Sequence, residues 1–237
     1  MVSGAKVLIY GDSIMKGTVM DASCRYHATM GDILEYFRAK YGVWAENRAR
    51  FGSTIDRGCR TLQKDMEEGV TGDYALVEFG GNDCNFKWNE VAERPDQEHR
   101  PMTEPEVFRK TYLQMIRELQ ARGIKTVLMT LPPIDAERYL GFIARGGSDP
   151  NSILRWLGDV QMIYRFHESY SNMVRSIAEK TRSYLVDVRR YFLDKHNYKE
   201  LICEDGLHPS EKGYALIVRA FEDFIAALTG GPAPAMA

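Results

Sequence analysis

Five positions in this chain carry groups suited to one kind of chemistry, acyl transfer. Ser13 follows the apolar run Val7, Leu8, Ile9, Tyr10 and then Gly11. A serine hydroxyl is a weak nucleophile until a base takes its proton and donors hold the oxyanion that forms. His208, one of only five histidines, is the candidate base, in the segment DGLHP at 205–209. Asp205, three residues earlier, can accept from the imidazole Nδ1–H, fix the tautomer and stabilise the imidazolium. Asn82 follows Gly80-Gly81 and carries a side-chain amide. Together with the Ser13 and Gly52 backbone N–H groups it is a candidate oxyanion donor. Each residue also has a plain use. Ser13 could cap a helix, Asp205 make a turn, His208 face solvent, and Asn82 sit in a turn.

Their order along the chain adds weight, because it implies where they gather. Residues 7–10 read as a strand buried on both faces. Further strands are expected near 43–45, over 74–79 (YALVEF), 125–130 (KTVLMT) and 184–188 (YLVDV). Helical spacing of apolar residues predicts helices over 29–41, 55–68, 105–122 and 162–181, and a last one capped by Ser210. On helix 105–122 the inner face is read as Val107, Tyr112, Met115, Ile116 and Leu119. Strands alternating with helices imply an α/β fold, a three-layer α/β/α arrangement of flavodoxin-like size with a central parallel sheet of about five strands. Ser13, Gly52 and Asn82 all follow strands, so they should meet at the carboxyl rim of the sheet, where open α/β sheets place ligands.

Residues 16–27 and 84–101 read as loops, the second unusually long, and 134–157 as short helices with loops. The chain reads as one domain over 1–229, with residues 230–237, rich in Pro, Ala and Gly, as a disordered tail.

With 237 residues, 44% of them hydrophobic, the chain can bury a sizeable core. A net charge of −2 gives no electrostatic case for nucleic acid or an anionic membrane. No apolar run reaches membrane-spanning length, residues 1–5 leave no room for a signal peptide, and no membrane anchor is expected. Cys24, Cys59, Cys84 and Cys203 are scattered without a C-x-x-C. They read as reduced thiols of a cytoplasmic protein. Cys24 and His27 have metal-like spacing but lack a partner pair, so no metal site is expected.

At this point the chain resembles the SGNH, or GDSL-type, hydrolase family over residues 5–228. GDSI at 11–14 is similar to the nucleophile block, and NRARFGST at 47–54 to the N-x-G-x-x-G-x-T block with its oxyanion glycine at Gly52. GGND at 80–83 is similar to the asparagine block, and DGLHP at 205–209 to the D-x-x-H-P block. Ala49 stands where the second block often has glycine, so that turn is expected to differ. The resemblance implies a serine esterase working through an acyl-serine, with no cofactor and a small-molecule ester as substrate. Short-chain or O-acetyl esters, carbohydrate acetates included, come first. A lysophospholipase or thioesterase, an acyltransferase and a non-catalytic binding module of the same fold remain alternatives, and a homo-oligomer is compatible with the sequence. Residues 11–18 do not form a P-loop, because Lys16 precedes Gly17, and the G-x-S-x-G elbow is absent. Phe86, Trp88, Phe142 and Trp156, with Met15 and Leu207, are read as substrate-pocket residues. Segments 84–101 and 134–157 are expected to set substrate choice.

Overall fold

The computed structural model describes residues 3–21 and 23–230. In chain order its elements are β1 (Lys6–Tyr10), β2 (Thr18–Met20), β3 (Tyr26–Ala28), α1 (Met30–Tyr41), β4 (Trp44–Asn47), α2 (Ile55–Glu67), β5 (Tyr74–Val77) and α3 (Trp88–Glu93). They continue with α4 (Pro105–Ala121), β6 (Lys125–Met129), α5 (Ala136–Arg145), α6 (Pro150–Leu157), α7 (Gln161–Thr181), β7 (Tyr184–Val186), α8 (Val188–Leu193) and α9 (Glu211–Thr229).

The central sheet has five parallel strands in the order β4-β1-β5-β6-β7. Strand periodicity explains its two apolar faces. Leu8 and Tyr10 join one core with Leu62 of α2, Tyr112 and Met115 of α4, and Val174 of α7. Ile9 joins the other with Phe192 of α8 and Ile217 and Ala220 of α9. Helices therefore cover both faces and make three layers. Each fully buried Leu or Phe contributes about 1.5–3 kcal/mol relative to exposure. The chain leaves β1 toward β4 on one side and later returns to β5 on the other. The end of β1 is thus the switch point of the sheet, where a crevice opens.

Three local readings are corrected. On α4 the buried positions are Phe108, Tyr112, Met115, Ile116 and Leu119, while Val107 is exposed. The spacing 108, 112, 115, 119 keeps helical phase; Val107 lies one residue out of it. Residues 16–27 hold an antiparallel hairpin, β2 with β3, not a plain loop. Its inner strand, Thr18, Val19 and Met20, is buried, but three-residue strands are too short to show a period. Residues 84–101 contain α3, which packs on α6 through a third apolar cluster beside the rim. Of the tail, only Gly230 lies among the described residues; it ends α9 in the left-handed region at φ 70°.

Candidate active site

Ser13 sits three residues past the end of β1 in a tight turn. Lys16 N–H donates to Asp12 O (3.2 Å) and Gly17 N–H to Ile14 O (2.9 Å). Two side chains pin this turn from outside. Asn47 Nδ2 donates to Met15 O at 2.8 Å, and the Tyr214 hydroxyl to Ile14 O at 3.0 Å. Asn47 Oδ1 also accepts from Ala49 N–H at 2.9 Å, so the turn there closes around a buried alanine.

The loop before α9 brings in the other two groups. Its ends are tied by Cys203 N–H to His208 O (2.8 Å) and Gly206 N–H to Cys203 O (3.0 Å). Asp205 Oδ1 accepts from the N–H groups of Leu207 (2.9 Å) and His208 (3.0 Å). That folds the carboxylate back on its own loop, so Oδ2 meets His208 Nδ1 at 2.6 Å. The far nitrogen, Nε2, then lies 2.9 Å from Ser13 Oγ. With Nδ1–H donating to the carboxylate, Nε2 presents its lone pair to the serine hydroxyl. Burial alone would raise the Asp205 carboxyl; the His208 hydrogen bond and charge and the two loop N–H groups reverse this and hold it below the usual range. It stays ionised beside the imidazole.

Gly206 makes the loop possible. Its φ is 75°, and a β-carbon there would collide with Tyr139 N and Asp135 O at the start of α5. Asp135 N–H also donates to Gly206 O at 2.8 Å. Gly206→Ala is expected to cost about 2–4 kcal/mol from left-handed strain plus overpacking. Urea denaturation measures it, and a shift under about 0.5 kcal/mol would contradict it.

Sequence reasoning missed two aromatic partners. The Tyr26 hydroxyl donates to Asp205 Oδ2 at 3.0 Å, and its ring meets His208 edge-on at 5.3 Å. Burial and the Asp205 charge push the Tyr26 phenol well up, so it remains a donor. Phe51 stacks on the imidazole with centroids 5.9 Å apart and also meets the Tyr26 ring at 5.7 Å, so the three rings form one triangle; Phe51 is 57% exposed. Tyr26 arrives on the β2–β3 hairpin, whose strands gave no readable sequence signal.

Asn82 follows β5 and lines the same cavity as Ser13. Its amide Nδ2 donates one hydrogen to Asp12 Oδ2 at 2.8 Å, leaving the other for the cavity. Asp12 is buried and its Oδ1 accepts from Ile14 N–H at 2.8 Å. Glu78, fully buried at the end of β5, lies against Asp12. Burial, then the Asp12 charge, pushes its carboxyl well up, so Glu78 carries the proton of this pair. A lone glutamate in the apolar run YALVEF was the sequence signal for it. Gly52 lies in the turn after β4 at φ 67°; its neighbour Phe51, not Gly52 itself, lines the Ser13 cavity.

Asp83, the residue after Asn82, is fully buried and accepts from Ile55 N–H at 3.1 and 3.2 Å, capping α2. Burial pushes its carboxyl up to about 7, against the hydrogen bonds of Thr103 and Ile55. The folded chain therefore holds this proton more tightly than the unfolded chain does. Its stabilising effect is full below about pH 4, declines as pH rises from about 4 to 7, and is gone above that. Asp83→Asn keeps an acceptor for Ile55 N–H and removes the titration. Urea midpoints across this range should show the variant gaining on the parent as pH rises. A constant difference would refute the assignment.

The cavity above Ser13 has a volume of about 220 Å³. Leu131, Pro132, Ile134, Tyr139, Phe142 and Leu207 form its apolar wall. Of the expected pocket residues, Phe142 and Leu207 line it. Met15 does not: it is buried against the sheet beneath the turn. Phe86, Trp88 and Trp156 also do not line it. They pack on one another, with Phe86–Trp156 and Phe86–Phe166 centroids 5.0 Å apart, in the cluster behind the wall. Trp88 acts at one remove: its Nε1–H donates to Asn85 Oδ1 (2.7 Å), which also accepts from the Tyr139 hydroxyl (3.0 Å). Among the described residues no helix is long and apolar enough to cross a membrane.

Known proteins are similar to this chain in sequence and fold. The chain is 25% identical over 233 residues to an acetylxylan esterase from Geobacillus stearothermophilus, covering 92% of this chain and 93% of that one. It is 24% identical over 165 residues to the uncharacterized lipoprotein YqeF of Bacillus subtilis (strain 168), covering 63% and 60%. Its fold matches a lipase/acylhydrolase from Enterococcus faecalis with a TM-score of 0.63 at 20% identity, over 98% of this chain and 100% of the other. Axe2, an acetylxylan esterase from Geobacillus stearothermophilus, in a catalytic mutant form, also superposes with a TM-score of 0.63 at 22% identity, over 93% and 94%. The model of the GDSL-like lipase/acylhydrolase family matches residues 9–216, nearly the whole chain from β1 into α9, and the protein belongs to that family of ester-hydrolysing enzymes.

Proposed function

We propose that this esterase cleaves short-chain and O-acetyl carboxylic esters, carbohydrate acetates among them, through an acyl-serine on Ser13. The reading rests on one observation: Ser13 Oγ, His208 and Asp205 form a continuous hydrogen-bonded line at the floor of a cavity of about 220 Å³. His208 Nε2 takes the Ser13 proton as Oγ attacks the ester carbonyl. The oxyanion is held by the Asn82 amide and the Ser13 N–H group. The tetrahedral adduct collapses, the C–O bond breaks, and the alcohol leaves with the proton from His208. Water, activated by the same imidazole, then releases the acid. Asp205 keeps the imidazole oriented, and the adjoining rings of Tyr26 and Phe51 pack against it.

The small cavity favours a short acyl group over a long chain. The acetylxylan esterase relative points the same way. The free cysteines, two of them buried, fit a cytoplasmic enzyme. A panel of p-nitrophenyl esters from acetate to palmitate, followed by acetylated sugars, tests the reading. Rates should be highest at acetate and fall steeply with chain length, and a serine-directed phosphonate should label Ser13. Preference for palmitate, or label on another residue, would overturn it.

A further inference from the structure

His167 of α7 also lines the Ser13 cavity, and nothing in the reaction above uses it. It is 5% exposed. Behind it stands Arg189 of α8, itself 4% exposed. Arg189 Nη1 donates to Leu131 O at 3.3 Å and lies 3.5 Å from His167 Nδ1, while the guanidinium rests over the Tyr164 ring at 4.9 Å. A guanidinium has five donors, no acceptor and no accessible neutral form. The ring nitrogen that faces it must therefore offer a lone pair. A hydrogen on Nδ1 would set donor against donor, and an imidazolium would set charge against charge. Burial and the Arg189 charge agree, holding His167 far below the ordinary histidine range. The proton of the neutral ring is thus on Nε2, the edge away from Arg189.

We propose that His167 is a specificity-determining residue that presents a fixed Nε2–H donor to an acceptor oxygen on the alcohol part of the ester. This rests on the short-acyl reading above. An acetyl group has no second acceptor to offer, so the oxygen must belong to the leaving alcohol. A ring or hydroxyl oxygen of an acetylated sugar has that chemistry; a hydrocarbon alcohol does not. Its apolar neighbours Leu131, Pro132 and Ile134 carry no side-chain acceptor, and Asn85 Oδ1, which also lines the cavity, is already taken by Trp88 Nε1–H and the Tyr139 hydroxyl. An alcohol without the oxygen would leave a buried donor unpaired, which is how polar pockets reject apolar analogues.

The test compares a methyl xyloside monoacetate with cyclohexyl acetate, a ring of the same size without the oxygens. His167→Phe keeps a flat ring and removes the donor. It should lower kcat/KM for the sugar acetate about tenfold and leave cyclohexyl acetate within about twofold. His167→Gln keeps a terminal N–H and should restore most of the preference. In the parent protein, ¹⁵N NMR near neutral pH should show a neutral His167 with its proton on Nε2, and Arg189→Met should release that tautomer. An Nδ1–H tautomer or an imidazolium in the parent overturns the inference. So does a His167→Phe variant that loses both esters equally. A parent enzyme inactive on both esters overturns the proposed function and this inference with it, whereas an unmoved ratio in an active enzyme overturns this inference alone.

Discussion

Ser13→Ala is expected to lower kcat/KM for p-nitrophenyl acetate by about 10⁴–10⁶-fold while leaving the fold intact. The loss is large because nucleophile and base act as one unit. Without Oγ, the proton acceptor at His208 Nε2, 2.9 Å away, has nothing to activate. The fold should survive because, among the described residues, the serine side chain makes no other hydrogen bond that holds the turn. That turn is pinned through backbone carbonyls by Asn47 and Tyr214. Circular dichroism and urea denaturation check the fold, and steady-state kinetics on the purified variant check the rate. Turnover near the parent value would remove Ser13 from the mechanism.

The second large effect is expected at Asn82. Asn82→Ala should reduce kcat by about 10²–10³-fold with little change in KM, the signature of a donor that acts on the transition state more than on the ground state. The structure supplies the reason its amide can be effective. Asp12 Oδ2 takes one of its hydrogens at 2.8 Å and thereby aims the other. Such a pre-aimed donor needs no reorganisation as charge develops on the carbonyl oxygen. A phosphonate analogue of the tetrahedral adduct should lose affinity in parallel with kcat. An increase in KM alone would mean that Asn82 only helps to bind the ester.

The strands and most helices were legible because long apolar periods report burial directly. KVLIY, YALV and KTVLM are buried on alternating faces as their composition demands. Ser13, Asp205 and His208 were legible as candidates because a serine after the first strand and a D-x-x-H-P loop before the last helix are both at the rim of a parallel sheet. What escaped was whatever depends on contacts between distant short pieces. Tyr26 sits on a three-residue strand, and its link to Asp205 spans 179 positions. The aromatic residues Phe86, Trp88 and Trp156 were assigned to the pocket because they lie in irregular-looking segments. They bury themselves instead, since a cluster of large rings removes more apolar surface from water by self-packing than by lining a wet crevice. His167 was hidden in plain helical phase, between Ile163 and Tyr170 on the buried face of α7.

The contact between Gly206 and the first turn of α5 couples two things that an engineer would want to vary separately. Asp135 and Tyr139 hold the loop that carries the base, and Tyr139 with Phe142 also shapes the crevice where the ester lies. Residues of α5 that touch substrate are therefore also levers on the imidazole. Selection for a new ester acting on this helix would trade selectivity against proton transfer, and sub-ångström displacements would be felt in rate first. The α3–α6 side is tied to the base loop less directly: it reaches the crevice through Trp88 on Asn85 and Tyr139, and the loop through apolar packing on Leu207. Divergent substrate preferences should thus accumulate in α3 and α6, while the opening turn of α5 drifts slowly.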